Sequence, residues 1–434
     1  MPSGRPDHIL EITGGRPLRG RVRIGGSKNA SLPIMAAAML TREPIRLSGV
    51  ARVADTELMT DILRELGVTV AGPDCDRVTL TATDVAGVVP DAMGRRMRAS
   101  IVLLGALLAR VGMARLPKPG GDQIGARRVE MHMRGLRALG AEITELQTEF
   151  IARAPAGLRG ARVVLDMPTV TGTENIVMAA VLAQGRTEIF NAAREPHVQD
   201  LCRCLCDMGA RIHGAGTDEI VVDGVPALSG VEHRVIPDYL EAGTYAMAVA
   251  AVGGDVVLED GPAHDLPSVI LKLQDAGAEI ETGDGEIRVR RDASRPLLPV
   301  DLWTWVHPGF PTDLQPQYAA LMTQAVGTAL ITEPIYDNRF QHVAELTRMG
   351  ARIGVEGRDA IVRGPARLHG TDVTVPDIRS GAALVIAALC ARGTTEIGDA
   401  WHIERGYEDL PGKLRALGAD VVRRAATEPA LRDL

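Results

Sequence analysis

Apolar and polar positions along the chain follow one pattern six times over. An amphipathic stretch ends in glycine, a small residue follows, and a strand-like alternation begins. The copies read LRELGVTV, LRALGAEI, LCDMGARI, LQDAGAEI, LTRMGARI and LRALGADV. Their glycines are Gly67, Gly140, Gly209, Gly277, Gly350 and Gly418, spaced 73, 69, 68, 73 and 68 residues apart. Glycine after a helix is the natural left-handed cap, and period-two alternation beyond it predicts a strand. Six such junctions at near-constant spacing predict a repeated structural unit.

A second series keeps step with the first. The runs SLPIMAAAML, ASIVLLGALLA, NIVMAAVLA, AMAVAAV, QYAALMTQAVG and GAALVIAALCA are apolar nearly all round, which predicts buried helices. Short strands such as TEIFNA and TTEIGDA follow them. Each unit therefore holds two helices, one buried and one amphipathic, with several strands. Polar groups lead the buried runs: Ser27-Lys28-Asn29, Met97-Arg98, Thr171 to Glu174, Asp238 to Thr244, Thr312-Asp313, and Asp377-Ile378-Arg379-Ser380. Helix starts carry free N–H groups and partial positive charge. A basic residue there opposes the dipole unless an anion sits in front of it. Lys28, Arg98 and Arg379 thus read either as solvated residues or as anion ligands held in register by the repeat.

Composition narrows the reading. The 434 residues are 46% hydrophobic and 24% charged but only 3% aromatic, with a net charge of −7. Scarce aromatics weigh against base-stacking platforms, and the charge gives no global field for a polyanion. No nucleic acid is expected as a partner, and an anionic ligand needs a local cluster. The N-terminus lacks a signal-like apolar core, and no apolar run reaches spanning length, so a cytoplasmic protein without membrane association is expected. Five cysteines include no CxxC pair. Cys202, Cys204 and Cys206 read as packing residues on a helix, with Cys202 and Cys206 on one face; the alternative is a metal site.

Lysine is rare, at Lys28, Lys118, Lys272 and Lys413 only, against 44 arginines. A compact ammonium at Lys28, beside Asn29, suits phosphate as a point charge. The loop LPKPGGDQIGARRVEMH, residues 116–132, is not a phosphate-binding P-loop, because GxxxxGK[ST] is absent. Its glycines fit a lid that changes conformation. Asp122 within it serves either as a general acid when the lid closes or as a solvated turn residue. In HPGFPTD, Asp313 is either a helix cap or a carboxylate that accepts a substrate hydroxyl proton. Arg339, Arg379 and Arg405 offer guanidinium forks for carboxylate and phosphate.

Ten ordered motifs combine these residues: GSKNASLPI, MRAS, PGGDQIGAR, TVTGTEN, NAAREP, GTDEIVV, FPTD, DNRF, DIRSGAALV and ERGYE. Across essentially its whole length the chain resembles the UDP-N-acetylglucosamine enolpyruvyl (1-carboxyvinyl) transferases. The resemblance implies an α/β fold, a two-domain inside-out α/β barrel of six βαβαββ repeats, three per domain. Residues 28–236, with a lid at 116–132, would form one domain. Residues 1–27 and 237–434 would form the other, with the active site in the cleft between them. It implies transfer of the enolpyruvyl group of phosphoenolpyruvate to the 3′-hydroxyl of UDP-N-acetylglucosamine with release of phosphate. That is the first committed step of peptidoglycan synthesis, and it uses no metal or other cofactor. By the same resemblance Lys28, Asn29, Arg127 and Arg405 hold phosphoenolpyruvate, with Arg339 and Arg379 on its carboxylate side. Arg98, Arg127, Arg128, Val129, Glu130, Met131, Met167, Pro168, Thr169, Val170, Asp313 and Ile335 hold the nucleotide sugar, and Asp377 also belongs to the substrate-binding set. Asp313 is the base, Asp122 the proton donor, and Lys28 and Arg405 complete the catalytic set.

Three departures from the family stand out. The lid position that usually holds cysteine is Asp122. A carboxylic acid can donate a proton but cannot form a thioether, so insensitivity to fosfomycin-type epoxides is expected. The uracil-side stretch, commonly RPxDLH, reads Arg127-Arg128-Val129-Glu130-Met131-His132. Tyr239 stands where the pattern often has arginine. The second departure motivates an alternative, an enolpyruvyl transferase acting on another nucleotide such as UMP in nucleoside antibiotic biosynthesis. A non-catalytic sugar-nucleotide-binding paralogue is a third reading.

Overall fold

The computed structural model describes residues 8–72, 77–122, 124–125 and 128–425. The chain divides into two compact units. The N-terminal unit is Gly25–Gly121 with Arg127–Asp238. The C-terminal unit is Met1–Ile24, Asp122–Ala126 and Tyr239–Leu434.

The third repeat of the N-terminal unit shows the motif in full. Strand Arg162–Val164 leads to the buried helix Val170–Ala180, then to strand Arg186–Phe190 and the surface helix Pro196–Asp207. Strands Arg211–His213 and Glu219–Asp223 follow. Ile189 pairs in parallel with Val163 and antiparallel with Ile220, and Val222 pairs with Ile212. The same order, one parallel pair and two antiparallel pairs, recurs in five four-stranded sheets among the described residues. The sixth sheet has three strands, and an isolated parallel bridge, Val88 to Arg115, stands where its fourth would pair. All six repeat glycines adopt φ between +92° and +102°. That left-handed conformation costs a residue with a Cβ but not glycine, which explains why the sequence marks each repeat there.

The repeats close on themselves within each unit. In the N-terminal unit the last strand, Val231–Arg234, pairs in parallel with Ile45–Ser48. In the C-terminal unit Leu18–Arg23 runs beside Gly254–Glu259, and His8–Thr13 lies between Thr394–Gly398 and Asp420–Ala425. Glycine spacing carries no information about this exchange, because it is a pairing between distant strands.

The buried helices Lys28–Ala37, Leu103–Val111, Val170–Ala180, Tyr239–Val252, Gln315–Met322 and Ile378–Cys390 fill two separate apolar cores, one per unit. Two polar residues, Asn175 and Gln317, link elements inside them. In the N-terminal unit the Asn175 amide oxygen accepts from the Gly105 N–H at 2.7 Å, and its nitrogen donates to the carbonyls of Ile101 and Thr171 at 3.0 Å each. In the C-terminal unit Gln317 donates to the Asp313 carbonyl at 3.1 Å, Tyr407 Oη at 3.0 Å and Thr244 Oγ1 at 3.3 Å. Cys202 and Cys204 are buried, while Cys206 is exposed. Helix Pro196–Asp207 packs on helix Lys28–Ala37, and Cys204 belongs to the same apolar core.

Candidate active site

The C-terminal unit builds a carboxylate seat. A 3-10 turn, Thr312–Leu314, precedes helix Gln315–Met322, so Leu314 and not Asp313 occupies the cap position. The Asp313 side chain turns instead to two arginines. Its Oδ1 accepts from Arg339 Nη2 at 2.7 Å. Its Oδ2 accepts from Arg379 Nε at 3.2 Å and lies 3.1 Å from Arg379 Nη2. Arg339 and Arg379 are buried, at 3% and 4% exposure, while the Asp313 side chain retains 30%. A solvent-reachable carboxylate therefore rests on two fixed guanidinium groups. Burial works against the Arg339 charge, but Asp313, Asp377, Tyr336 and Glu333 outweigh it and raise its pKa. Arg339 Nε is buried with no hydrogen-bond partner among the described residues. A buried unsatisfied donor is costly, and a ligand oxygen would relieve it. Asp377 caps helix Ile378–Cys390, with Oδ1 accepting from the N–H groups of Arg379 and Ser380 and Oδ2 accepting from the Ser380 hydroxyl.

Asp122, in the loop after strand Met113–Pro117, accepts from Arg405 Nη1 at 2.6 Å, with side-chain exposures of 14% and 10%. In this arrangement Asp122 is paired, not a solvated turn residue. Gly121, at φ +101°, lets the chain pass 2.8 Å from the Arg98 Cβ, measured to the position a Gly121 Cβ would take, so the lid flank is packed against the second helix start. His402, three residues before Arg405, is held below its ordinary range by burial and then by the Arg405 charge. His342 is likewise lowered to about 3 by burial and by Arg339. Neither imidazole adds charge to the arginine cluster at neutral pH.

The N-terminal unit contributes a different set. Ser27 caps helix Lys28–Ala37 by accepting from the Ala30 N–H at 3.3 Å. Lys28 is the first helical residue; its Nζ lies 3.5 Å from Asp55 Oδ2, and its backbone N–H donates to Asp238 Oδ2 at 3.4 Å. Asn29 and Arg98 are half-buried at the first and second helix starts. Arg127 lies outside the described residues. Arg128 and Glu130 are exposed, Val129 and Met131 half-buried, and the helix of this stretch begins at Glu130. His132 Nε2 lies 2.8 Å from Thr171 Oγ1, joining this stretch to the third helix start. Burial and Arg98 lower the His132 pKa to about 3. Met167 is 47% exposed, and Pro168, Thr169 and Val170 are half-buried. The third helix begins at Val170, because Thr169 takes the extended cap conformation. Thr171 to Glu174 therefore lie inside the helix rather than ahead of it.

Several residues of these sites escape sequence reasoning. Gln317 and Tyr407 are among them; they form a buried network with Thr244, with Tyr407 Oη 3.0 Å from Thr244 Oγ1 and the Arg379 guanidinium 5.4 Å from the Tyr407 ring centroid. Glu333, fully buried, bonds three donors; a lone acid ending the apolar run GTALITEP was its only signal. Tyr239 opens the fourth buried helix inside the apolar core, so the arginine-to-tyrosine departure falls at a packing position. Ile335, in the turn after Glu333, is half-buried. Among the described residues no group of three or more His, Cys, Asp or Glu side chains is arranged to hold a metal ion, and no helix is long and apolar enough to cross a membrane.

Comparison with known proteins gives the family. A profile of the EPSP synthase (3-phosphoshikimate 1-carboxyvinyltransferase) family matches residues 12–414. The UDP-N-acetylglucosamine 1-carboxyvinyltransferase of Sorangium cellulosum is 48% identical over 416 residues, covering 95% of this chain and 98% of that protein. The protein of the same description from Gluconobacter oxydans is 47% identical over the same length and coverage. The crystal structure of the enolpyruvyl transferase NikO from Streptomyces tendae superposes with a TM-score of 0.87 at 26% identity, covering 98% of this chain and all of that one. An EPSP synthase from Acinetobacter baumannii, 20% identical with a TM-score of 0.74 over 96% of this chain and 100% of that one, shares the fold. A six-repeat α/β chain with a carboxylate seated on two buried arginines, matched over nearly its full length by these proteins, belongs to the enolpyruvyl transferase family and is an enzyme that transfers the enolpyruvyl group.

Proposed function

We propose that the acceptor is the 3′-hydroxyl of UDP-N-acetylglucosamine and the donor phosphoenolpyruvate, in the step that commits the sugar nucleotide to peptidoglycan. The observation that carries the reading is Asp313 on Arg339 and Arg379. Two guanidinium groups hold the carboxylate in place, while its exposed edge stays open to a hydroxyl. The 47–48% identity to two sugar-nucleotide enzymes supports the acceptor.

In the first step Asp122 gives a proton to the vinyl carbon of phosphoenolpyruvate. Asp313 takes the proton of the acceptor hydroxyl, whose oxygen bonds the former C2 of the donor. In the second step the new methyl group loses a proton, the carbon–phosphate oxygen bond breaks, and phosphate leaves. Lys28 and Arg405, with Asn29 and Arg127, are proposed to hold the phosphate; Arg339 and Arg379 hold the donor carboxylate side as well as Asp313. Arg98, residues 128–131, residues 167–170 and Ile335 are proposed to hold the nucleotide sugar.

The Asp122–Arg405 ion pair has a consequence for this sequence. Arg405 is already paired with Asp122, so a donor phosphate on Arg405 competes with that pair. The test is phosphate release with phosphoenolpyruvate and either UDP-N-acetylglucosamine or UMP. Release with the sugar nucleotide alone is expected; release with UMP alone supports the second acceptor, which the Arg128-Val129-Glu130-Met131 stretch favours.

A further inference from the structure

Glu333 follows strand Gly327–Thr332 and is fully buried. Its Oε2 accepts from Thr312 Oγ1 at 2.8 Å, the residue before Asp313. Its Oε1 accepts from the backbone N–H of Ile335 at 2.9 Å and of Tyr336 at 3.2 Å. One carboxylate thus ties two turns that are 21 or more residues apart in sequence. One turn carries Asp313; the other carries Ile335 and runs on to Arg339. The frame is fixed from outside as well. The Glu333 N–H donates to the Arg358 carbonyl at 2.8 Å, the Arg358 guanidinium donates to the Pro334 carbonyl, and Thr332 Oγ1 donates to Asp359 Oδ1 at 2.5 Å.

A buried carboxylate is expensive unless its oxygens are filled. Glutamate at this place spends its acceptor capacity on the two turns, and bonds between ionised acceptors and N–H or O–H donors are the stronger class. A shorter or apolar side chain would let the turns move independently. Small displacements of a catalytic base are costly because the reacting atoms must be held close to the productive geometry.

We infer that Glu333 is a positioning residue for the transfer reaction, holding the base Asp313 and the acceptor-side turn at Ile335 in one rigid frame. This rests on the site reading given above. The bonds described for Glu333 go to the turns of Asp313 and Ile335, whereas the donor phosphate is placed on Lys28 and Arg405, and Arg339, on the donor carboxylate side, is bonded by Asp313 and not by Glu333. Its loss therefore acts more on the acceptor and on turnover than on the donor.

Steady-state kinetics with both substrates varied, together with thermal melting, test the inference. Glu333→Ala is expected to raise KM for UDP-N-acetylglucosamine about tenfold and lower kcat about tenfold, with KM for phosphoenolpyruvate within about twofold of wild type. Glu333→Asp keeps the charge but falls one methylene short of spanning both turns, so it follows the alanine pattern. Glu333→Gln keeps the reach and the two amide bonds, with Thr312 reversing its hydroxyl, and recovers most of the activity. If Glu333→Ala does not fold, the aspartate and glutamine variants decide on the same readouts. Wild-type constants in Glu333→Asp, an equal rise in KM for both substrates, or a glutamine variant no better than alanine overturns the inference. Asp313→Asn serves as the control for the site reading. If that variant turns over normally, the site reading itself is lost. If it is inactive while Glu333→Ala and Glu333→Asp keep wild-type constants, only the Glu333 inference is.

Discussion

The two units are built from the same repeat and present polar groups at the same places, the starts of buried helices. They use those places differently. The C-terminal unit seats Asp313 there on two buried arginines, and it holds a second short ion pair away from those starts, loop residue Asp122 with Arg405 at 2.6 Å. The N-terminal unit sets one lysine at a helix start with a looser 3.5 Å contact to Asp55. The repeat specifies where a ligand-directed group stands and leaves its chemistry to the individual copy. The same contrast holds deeper in the helices. Asn175 in the N-terminal unit joins helix to helix through backbone groups, whereas Gln317 in the C-terminal unit joins a helix to the side chains behind Arg379.

The sharpest way to break this contrast is Asp313→Asn. It removes the proposed base and leaves two buried guanidinium groups without their carboxylate. A fall in kcat of about 10³-fold is expected, with a lowered melting temperature that phosphate or phosphoenolpyruvate partly restores. An unchanged kcat in the phosphate-release assay would put the base elsewhere.

Asp122 comes next. Asp122→Asn cannot donate a proton and is expected to lose about 10²-fold in kcat. The wild-type enzyme is expected to escape labelling by a fosfomycin-type epoxide, while Asp122→Cys gains a lid-peptide adduct seen by mass spectrometry. An adduct on Asp122 of the wild type would contradict the assignment.

Exchanging the polar helix residues compares the units directly. Asn175→Leu strands the Gly105 N–H and two carbonyls in the core and is expected to cost about 3 kcal/mol in stability with near-normal turnover. Gln317→Leu is expected to cost less stability but several-fold in kcat, because the support behind Tyr407 and Arg379 loosens. Equal kinetic losses in both variants would erase the distinction.

The smallest effect is expected from Glu174, in the third helix of the N-terminal unit. Burial, and then the neighbouring Glu195, push its pKa well above the glutamate range. An acid raised in the folded state stabilises fully at low pH and loses that contribution as pH climbs toward its folded pKa. Glu174→Gln should therefore melt with wild type at low pH and increasingly above it at alkaline pH, with kcat unchanged. A pH-independent gap would mean that Glu174 is not held protonated.

The repeat was legible in the sequence because it rests on local rules: a left-handed glycine, a helix period and a strand alternation. Lys28, Asp313, Arg339 and Arg379 stood out as candidates because charged groups recur beside apolar runs, and the structure joins Asp313 to both arginines. The closure of each unit by His8–Thr13, Leu18–Arg23 and Val231–Arg234 was not, since strand partners hundreds of residues apart leave no local trace. Glu333 and Tyr407 were hidden for a related reason. Their roles lie in bonds across the fold, and single buried polar residues look alike in sequence whether they support a site or merely fill a core. The helix-cap alternative for Asp313 and the solvated alternative for Asp122 needed geometry, because both are settled by which arginine stands opposite.

The central claim is the proposed transfer of the enolpyruvyl group to the sugar nucleotide. It is tested most directly by incubating the enzyme with phosphoenolpyruvate and an equimolar mixture of UDP-N-acetylglucosamine and UMP, then identifying products by mass spectrometry alongside released phosphate. The account predicts one phosphate for each UDP-N-acetylglucosamine carrying an enolpyruvyl ether at its 3′ oxygen, with UMP unchanged. Enolpyruvyl-UMP as the product, or phosphate released with neither acceptor modified, would contradict it.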